Sequence, residues 1–286
     1  MRLLGVVLIV AMVAGSSALA LAPMGPPTAG LNQGQFRVGA EYGYSEQDLE
    51  IDPTFGADGT ILDLESNMFF ATLGYGVMDN WEFYIQLGVA NAEFDKVKWS
   101  DEPTSDTWGF DGDYGFAYGF GTKYTFWEQM EGLTWGVLFQ MKWINSEDTL
   151  SGTWSESVGD DAWEVGAYNN DVELDYYEMQ IAVGPTWQAM EGLCIYGGPF
   201  LHIVSGDLDD KWNETYADYD NAQGTGSPLS GPFTDAGKES ADLEEESTFG
   251  GYVGTQLDVT EQFKAFAEVM FTGDAWGLGI GGGWVF

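Results

Sequence analysis

The sequence predicts an all-β chain: a transmembrane, antiparallel, up-and-down β-barrel of about ten strands (roughly 8–12 fit the pattern). Three observations predict it. Apolar residues recur at every second position over most of the chain, which is the strand period and not the helical one. The apolar faces are rich in Trp, Tyr and Phe, and the opposite faces are rich in Gly. Short and long connections alternate, so all the long ones fall at one end of a meander.

The chain begins with Arg2, an apolar run over 3–14 and then Gly15-Ser16-Ser17-Ala18-Leu19-Ala20. A positive start, a short apolar core and a small-x-small site make residues 1–22 a cleaved secretory signal. The cut follows Ala20, or Ala22 if Ala20-Leu21-Ala22 is read. Residues 23–34, rich in Pro and Gly, read as an irregular N-terminal lead-in. Residues 35–286 then form a single barrel domain.

The first strand runs near 35–46, where Phe36, Val38, Ala40, Tyr42 and Tyr44 alternate with Arg37, Gly39, Glu41 and Gly43. Strands near 65–78 and 81–93 flank the tight turn Met78-Asp79-Asn80; in the second of them Trp81, Phe83, Ile85, Leu87 and Val89 share a face. Strands near 114–127 and 133–145 follow, then 174–187 and 193–205. The last three lie near 248–259, 263–272 and 275–286. The seven residues Trp127 to Leu133 recur as Trp187 to Leu193, both at short turns, which is most simply a shared turn solution.

Charge follows the same sidedness. The chain carries 46 Asp and Glu against 9 Lys and Arg, a net charge of −37. Thirty-six of those acids fall in 46–65, 93–113, 147–178 and 207–246, the long connections with their strand ends. These read as long acidic extracellular loops, and such a field excludes nucleic-acid binding. Cys194, standing alone, excludes a disulfide framework and a cysteine zinc cluster. Oxygen-rich runs such as Asp111-Gly-Asp113, Asp160-Asp161 and Asp207-Leu-Asp209-Asp210 leave a weak case for loop-bound Ca or Mg, and no other cofactor is expected.

Aromatics gather near both ends of the strands. One set is Trp81, Phe83, Tyr124, Phe126, Trp135, Trp187, Phe263 and Trp284; the other is Tyr42, Tyr44, Phe94, Tyr114, Trp143, Tyr177, Phe271 and Trp276. This is the double girdle of two membrane interfaces. With that face toward lipid, the opposite face places a polar network in the lumen: Arg37, Glu41, Glu82, Lys123, Lys142, Glu178, His202, Asp258, Lys264 and Glu268. Hairpin geometry sets Asp258 opposite Lys264 and brings Lys142 near Glu178. Tyr84, Tyr196, Phe200 and Phe266 narrow the lumen, while its glycines leave room for a pore.

The final strand alternates to its end, Trp276-Gly-Leu278-Gly-Ile280-Gly-Gly-Gly-Trp284-Val-Phe286. It resembles the C-terminal signature of small, porin-like outer-membrane β-barrel proteins of Gram-negative bacteria, with Gly282 where an apolar residue is commoner. The resemblance implies export to the cell outer membrane. It also implies partnership with its lipid and lipopolysaccharide, and recognition of Trp284 and Phe286 by the barrel-assembly machinery. The barrel enzymes of that group do not fit: an omptin-like protease needs an Asp–His pair, and lipid A deacylases need His-x-Ser. His202 has no adjacent Asp, and His202 and Ser205 face opposite sides of a strand. The reading is therefore a non-enzymatic envelope barrel: a small passive, cation-preferring channel or a structural protein. The alternative is a surface adhesin using loops that carry Trp99, Trp108, Trp154, Trp163 and Trp212.

Overall fold

The computed structural model describes residues 21–53, 58–100, 109–129, 132–157, 162–225, 227–245 and 248–286. Residues 1–20 of the expected signal, the Asp160-Asp161 pair and Trp108 lie outside the described residues, as do residues 130–131 of the first turn repeat. Thirteen strands follow in chain order: β1 (Phe36–Pro53), β2 (Gly59–Met78), β3 (Trp81–Phe94), β4 (Lys96–Trp99), β5 (Phe110–Asp111), β6 (Gly115–Gln129), β7 (Leu133–Ser157), β8 (Trp163–Met190), β9 (Leu193–Tyr219), β10 (Ser230–Glu245), β11 (Phe249–Asp258), β12 (Phe263–Phe271) and β13 (Ala275–Val285).

Ten of them close a ring by antiparallel pairing of successive neighbours: β1, β2, β3, β6, β7, β8, β9, β11, β12, β13 and back to β1. Closure leaves no edge strand in the ring among the described residues. Eight of the ring strands begin within a residue of the positions that the alternation predicts, whereas β2 begins at Gly59 and not near 65 and β8 at Trp163 and not near 174. The short turns are built as their residues suggest. Gly132 and Gly192, one in each copy of the repeated heptapeptide, both have positive φ (79° and 76°), a conformation glycine adopts without penalty. Phe263 N–H closes the β11–β12 turn onto Thr260 Oγ1 at 2.9 Å.

The outer wall carries a band of exposed apolar side chains. On β3 that face is Trp81, Phe83, Ile85, Leu87 and Val89, all exposed. Trp187, Trp284, Tyr124 and Phe126 mark the girdle near the short turns, and Tyr114 and Phe271 lie toward the other end. Phe94 departs from the expected girdle. It is 2% exposed and stacks on Phe110 at 5.4 Å inside the molecule.

That departure has a general cause. Above the band the wall continues, and its chemistry turns inside out. On β1, Tyr42 and Tyr44 face outward, but so do Glu46, Glu50 and Asp52 farther on, while Leu49 and Ile51 are buried within. On β8 and β9 the inward residues become Val172, Leu174, Val204 and Leu208, and Asp175 and Asp207 point out. The expected long loops are therefore in large part β-structure. The β7–β8 hairpin pairs continuously from Leu133↔Trp187 to Ser157↔Trp163. Strand β10, which the periodicity did not announce, pairs with β9 and with Leu49–Pro53 of β1, so it completes the upper wall above the shorter β11, β12 and β13. β4 and β5 add short pairings to β2 and β3. Inside this rim, Leu49, Ile51, Ile61, Leu64, Phe94, Val97, Phe110, Leu174 and Leu243 form a buried apolar core.

Outside it, carboxylates stand in register. Glu46, Glu65, Glu93 and Asp111 oppose one another across β1, β2, β3 and β5. Asp175, Asp207, Asp242 and Asp52 do so across β8, β9, β10 and β1. Like charges directly opposite destabilise a sheet, and the rim's few cations answer part of this. Lys238 Nζ donates to Asp209 Oδ2 at 2.7 Å, and Ser240 Oγ donates to Oδ1 at 2.7 Å. The bond from Lys238, followed by that from Ser240, holds the Asp209 carboxyl below its ordinary value of 3.8. A depressed carboxyl stabilises the fold above its ordinary value and loses that contribution as pH falls through its folded value. Lys238→Ala should thus move Asp209 titration to higher pH, read by ¹³C carboxyl NMR; an unchanged titration would reject the pairing.

Candidate functional site

The site is the lumen at the level of the apolar band, and the surprise there is its occupant. Residues 21–34 thread the barrel from the short-turn end upward. The segment contains Pro23, Pro26 and Pro27, so it offers few amide donors and pairs with no strand over most of its length. Its available amides go instead to lumen side chains, as buried backbone donors must. At the foot, Gly34 N–H donates to Gly76 O at 2.8 Å and Gly76 N–H to Gln35 O at 2.9 Å. Gly30 N–H donates to Glu82 Oε2 (2.9 Å) and Ala29 N–H to Thr125 Oγ1 (3.0 Å). Thr28 Oγ1 shares a 2.8 Å bond with Thr186 Oγ1. Higher up, Met24 N–H (2.6 Å) and Gly25 N–H (3.0 Å) both donate to Glu268, and Ala22 N–H donates to Glu178 Oε1 (2.9 Å).

The residues expected in the lumen take these places. Arg37 and Glu82 form an ion pair at the foot. Glu41 accepts from Gln86 Nε2 at 2.6 Å. Lys123 is 5% exposed, lies beside Gly25 and sits 5.6 Å from the Tyr84 ring centroid. Glu268 also accepts from Tyr196 OH at 2.8 Å. Glu178 accepts from Gln180 Nε2 (2.8 Å) and meets His202 Nε2 at 3.1 Å, all on Oε1. His202 Nδ1 is buried without a partner. Asp258 and Lys264 are directly opposite in register and 3.9 Å apart beside the β11–β12 turn.

Two expectations change. Lys142 and Glu178 are cross-strand partners, but the ammonium of Lys142 turns to Pro23 O at 3.3 Å and lies over the Phe70 ring at 4.8 Å. The carboxylate of Glu178 serves Ala22, Gln180 and His202 instead. A carbonyl oxygen of the threaded segment is thus the nearer acceptor for Lys142. The lumen glycines, expected to leave pore space, make room for that segment. A Cβ on Gly76 would collide with the Asn32 carbonyl, and one on Gly136 with the Pro27 carbonyl. A Cβ on Gly43 would fall 2.6 Å from Pro23 Cδ.

Sequence reasoning found the wall residues by parity and missed 21–34. Its one available signal was the coincidence of a Pro-rich, period-free stretch with a glycine-lined face of matching length. Among the described residues, no group of three or more His, Cys, Asp and Glu is arranged to hold a metal ion. The lumen holds a peptide segment among its polar side chains, and above it the buried apolar rim core lies inside the wall.

No protein-family model matches the sequence, and no curated protein does. The expected resemblance to outer-membrane β-barrels is met by solved structures at low identity. The attachment invasion locus protein Ail of Yersinia pestis is 13% identical over 89% of this chain and 99% of that one, with a TM-score of 0.26. The outer membrane protein OprG from Pseudomonas aeruginosa is 12% identical over 90% and 98%, with a TM-score of 0.31. The translocator domain of the autotransporter NalP from Neisseria meningitidis is 13% identical over 89% of each chain, with a TM-score of 0.34. The ring of ten strands rests on the pairing registers above and is independent of these likenesses.

Proposed function

We propose that this chain is an integral outer-membrane β-barrel with a structural role in the envelope, closed at rest by residues 21–34 within the bilayer and by the apolar rim core above it. The observation that carries the reading is the inversion along single strands. Apolar side chains face out over one band and in over the next, as a wall passing from hydrocarbon into water requires. The carboxylate rows would then stand just outside the bilayer at headgroup level, where lipopolysaccharide is the neighbouring partner and diffuse Ca or Mg screens the two anionic surfaces from each other. Trp284 and Phe286, both exposed on the outer wall, are the residues offered to the assembly machinery. No catalytic role is proposed for the lumen.

The test is fractionation followed by planar-bilayer recording. The reading expects the protein in the outer membrane, resistant to carbonate extraction, and electrically silent when purified. Ohmic, cation-preferring steps from the intact protein would replace the structural role with the passive channel, since the rim field concentrates cations. Recovery in a soluble fraction would end both.

A further inference from the structure

Beyond the rim core four strands continue as one sheet. β7 and β8 pair to Ser157↔Trp163, β8 and β9 to Trp163↔Tyr219, and β9 and β10 to Asp218↔Ser230. β1 leaves β10 at Pro53↔Ala241, so above Ala241 β10 pairs with β9 alone among the described residues. Strand parity carries the face that buries Leu174, Leu208 and Leu243 upward into Trp154, Tyr168, Trp212, Tyr216 and Phe233. Here the aromatic side chains are no longer sealed in. Tyr168 and Phe233 are 37% and 44% exposed, and the other three are half-buried. Three of the rings lie over glycines. A Cβ on Gly152 would fall 2.8 Å from the Tyr168 ring, one on Gly166 would fall 2.7 Å from the Trp154 indole, and one on Gly237 would collide with Trp212. Each of these rings has one side on the backbone, which leaves the other for a partner.

Between the rings stand acceptors short of donors. Asn170 Nδ2 donates to Asp210 Oδ2 at 3.3 Å, yet Asn170 Oδ1 and Asp210 Oδ1 are buried with no hydrogen-bond partner. Glu239 is opposite Asp210 across the β9–β10 pairing, and Glu214 accepts from Trp154 Nε1. Burial raises the Asp210 carboxyl above its ordinary value, and Glu239 adds to the rise against the bond from Asn170. Lys211 and Lys238 leave these strands on the opposite face, toward Glu173 and Asp209. The aromatic face thus has no cation of its own among the described residues. A neutral partner would desolvate its carboxylates without answering their charge. Among the described residues these carboxylates are not arranged to hold a metal ion either. A guanidinium meets both demands, because it is planar enough to lie on a ring face and donates in a fork to carboxylate oxygens. We propose that this face binds an arginine-bearing basic segment of another protein, with guanidinium groups on Trp212 and its neighbouring rings donating to Asp210 and Glu214. The inference needs the reading as an envelope barrel only to place the face outside the membrane.

The experiment titrates the full-length protein, purified in mild detergent, into a fluorescent peptide of alternating Arg and Ser at physiological salt, read by anisotropy. A Lys–Ser peptide of equal charge and the neutral sugar maltohexaose are the comparison probes. The Arg peptide should bind at least about threefold more tightly than the Lys peptide, because only a guanidinium both stacks and forks. Asp210→Asn and Trp212→Ala should each weaken it at least about tenfold, and Tyr168→Ala, at an exposed ring, repeats the test if the tryptophan variant does not fold. Asp171→Asn removes the same charge from the opposite face of the same sheet and should weaken binding less than about twofold. Equal weakening by Asp171→Asn, or no preference for arginine, means a diffuse field in place of a site and overturns the inference. Maltohexaose held through the same rings, with the peptide unbound, overturns it in favour of a saccharide face. Absence of peptide binding in a protein that still resists carbonate extraction overturns the inference and leaves the barrel reading standing. Arginine-selective binding by a protein recovered in a soluble fraction supports the face and ends the barrel reading.

Discussion

Glu268→Ala should destabilise the barrel by about 3–5 kcal/mol, the usual cost of removing one partner from a buried charged network. Glu268 is 4% exposed and is the hub of the lumen. It takes the Met24 and Gly25 amides and the Tyr196 hydroxyl at 2.6, 3.0 and 2.8 Å, and Lys123 shares its field. Alanine leaves three donors without an acceptor and a buried ammonium facing fewer anions. Glu268→Gln keeps one carbonyl oxygen and should cost less, about 1–3 kcal/mol. Guanidinium unfolding in micelles measures both. Amide exchange over 21–34 should accelerate in the alanine variant. A change below about 1 kcal/mol for Glu268→Ala would mean that the segment is not held by this carboxylate.

Phe94→Ala should also cost about 3–5 kcal/mol, as large-to-small core substitutions do, but in a different place. Phe94 lies in the rim core against Phe110, and the lipid-facing wall below it keeps its own pairing. The expected phenotype is therefore local. Proteases should cleave the rim hairpins of the variant while the membrane-embedded wall stays intact and keeps the heat-modifiable gel migration of a folded barrel. Unchanged rim cleavage would contradict the core assignment, and loss of the whole barrel would show that rim and wall fold as one unit.

The wall was legible because a membrane strand needs one apolar face for its whole crossing, and residues such as Trp81 to Val89 on β3 state that face without interruption. The rim was harder to read for a physical reason. On β1 the outward set runs Tyr42, Tyr44, Glu46, Glu50, Asp52, and the inward set runs Glu41, Ser45, Leu49, Ile51. The strand period persists through residue 53, but the apolar label changes faces, so a window spanning the change shows no net alternation. Acidic residues completed the disguise, since a run such as Asp207-Leu-Asp209-Asp210 looks like a solvated loop and is a strand with Leu208 buried. In the site, parity placed Glu178, His202 and Glu268 inward. Their partners could not be read, because residues 21–34 have no period and the amides of Ala22 and Met24 are satisfied by groups 156 and 244 residues away.

The seam of the ring lies between β1 and β13, where Arg37 faces Val285 and Gln47 faces Ala275, and the threaded segment is the chain immediately before that seam. The order of biogenesis is thereby constrained. A cylinder that zipped shut first would have to swallow its own beginning end-on, past Glu82 and Lys123, with the segment's Asn32 and Pro27 carbonyls pressed tightly against Gly76 and Gly136. Laying the segment across an open, curled sheet and joining first strand to last around it requires no such passage. The seam should therefore be the final join, and a protein arrested before it should still have its first residues within reach of a soluble protease.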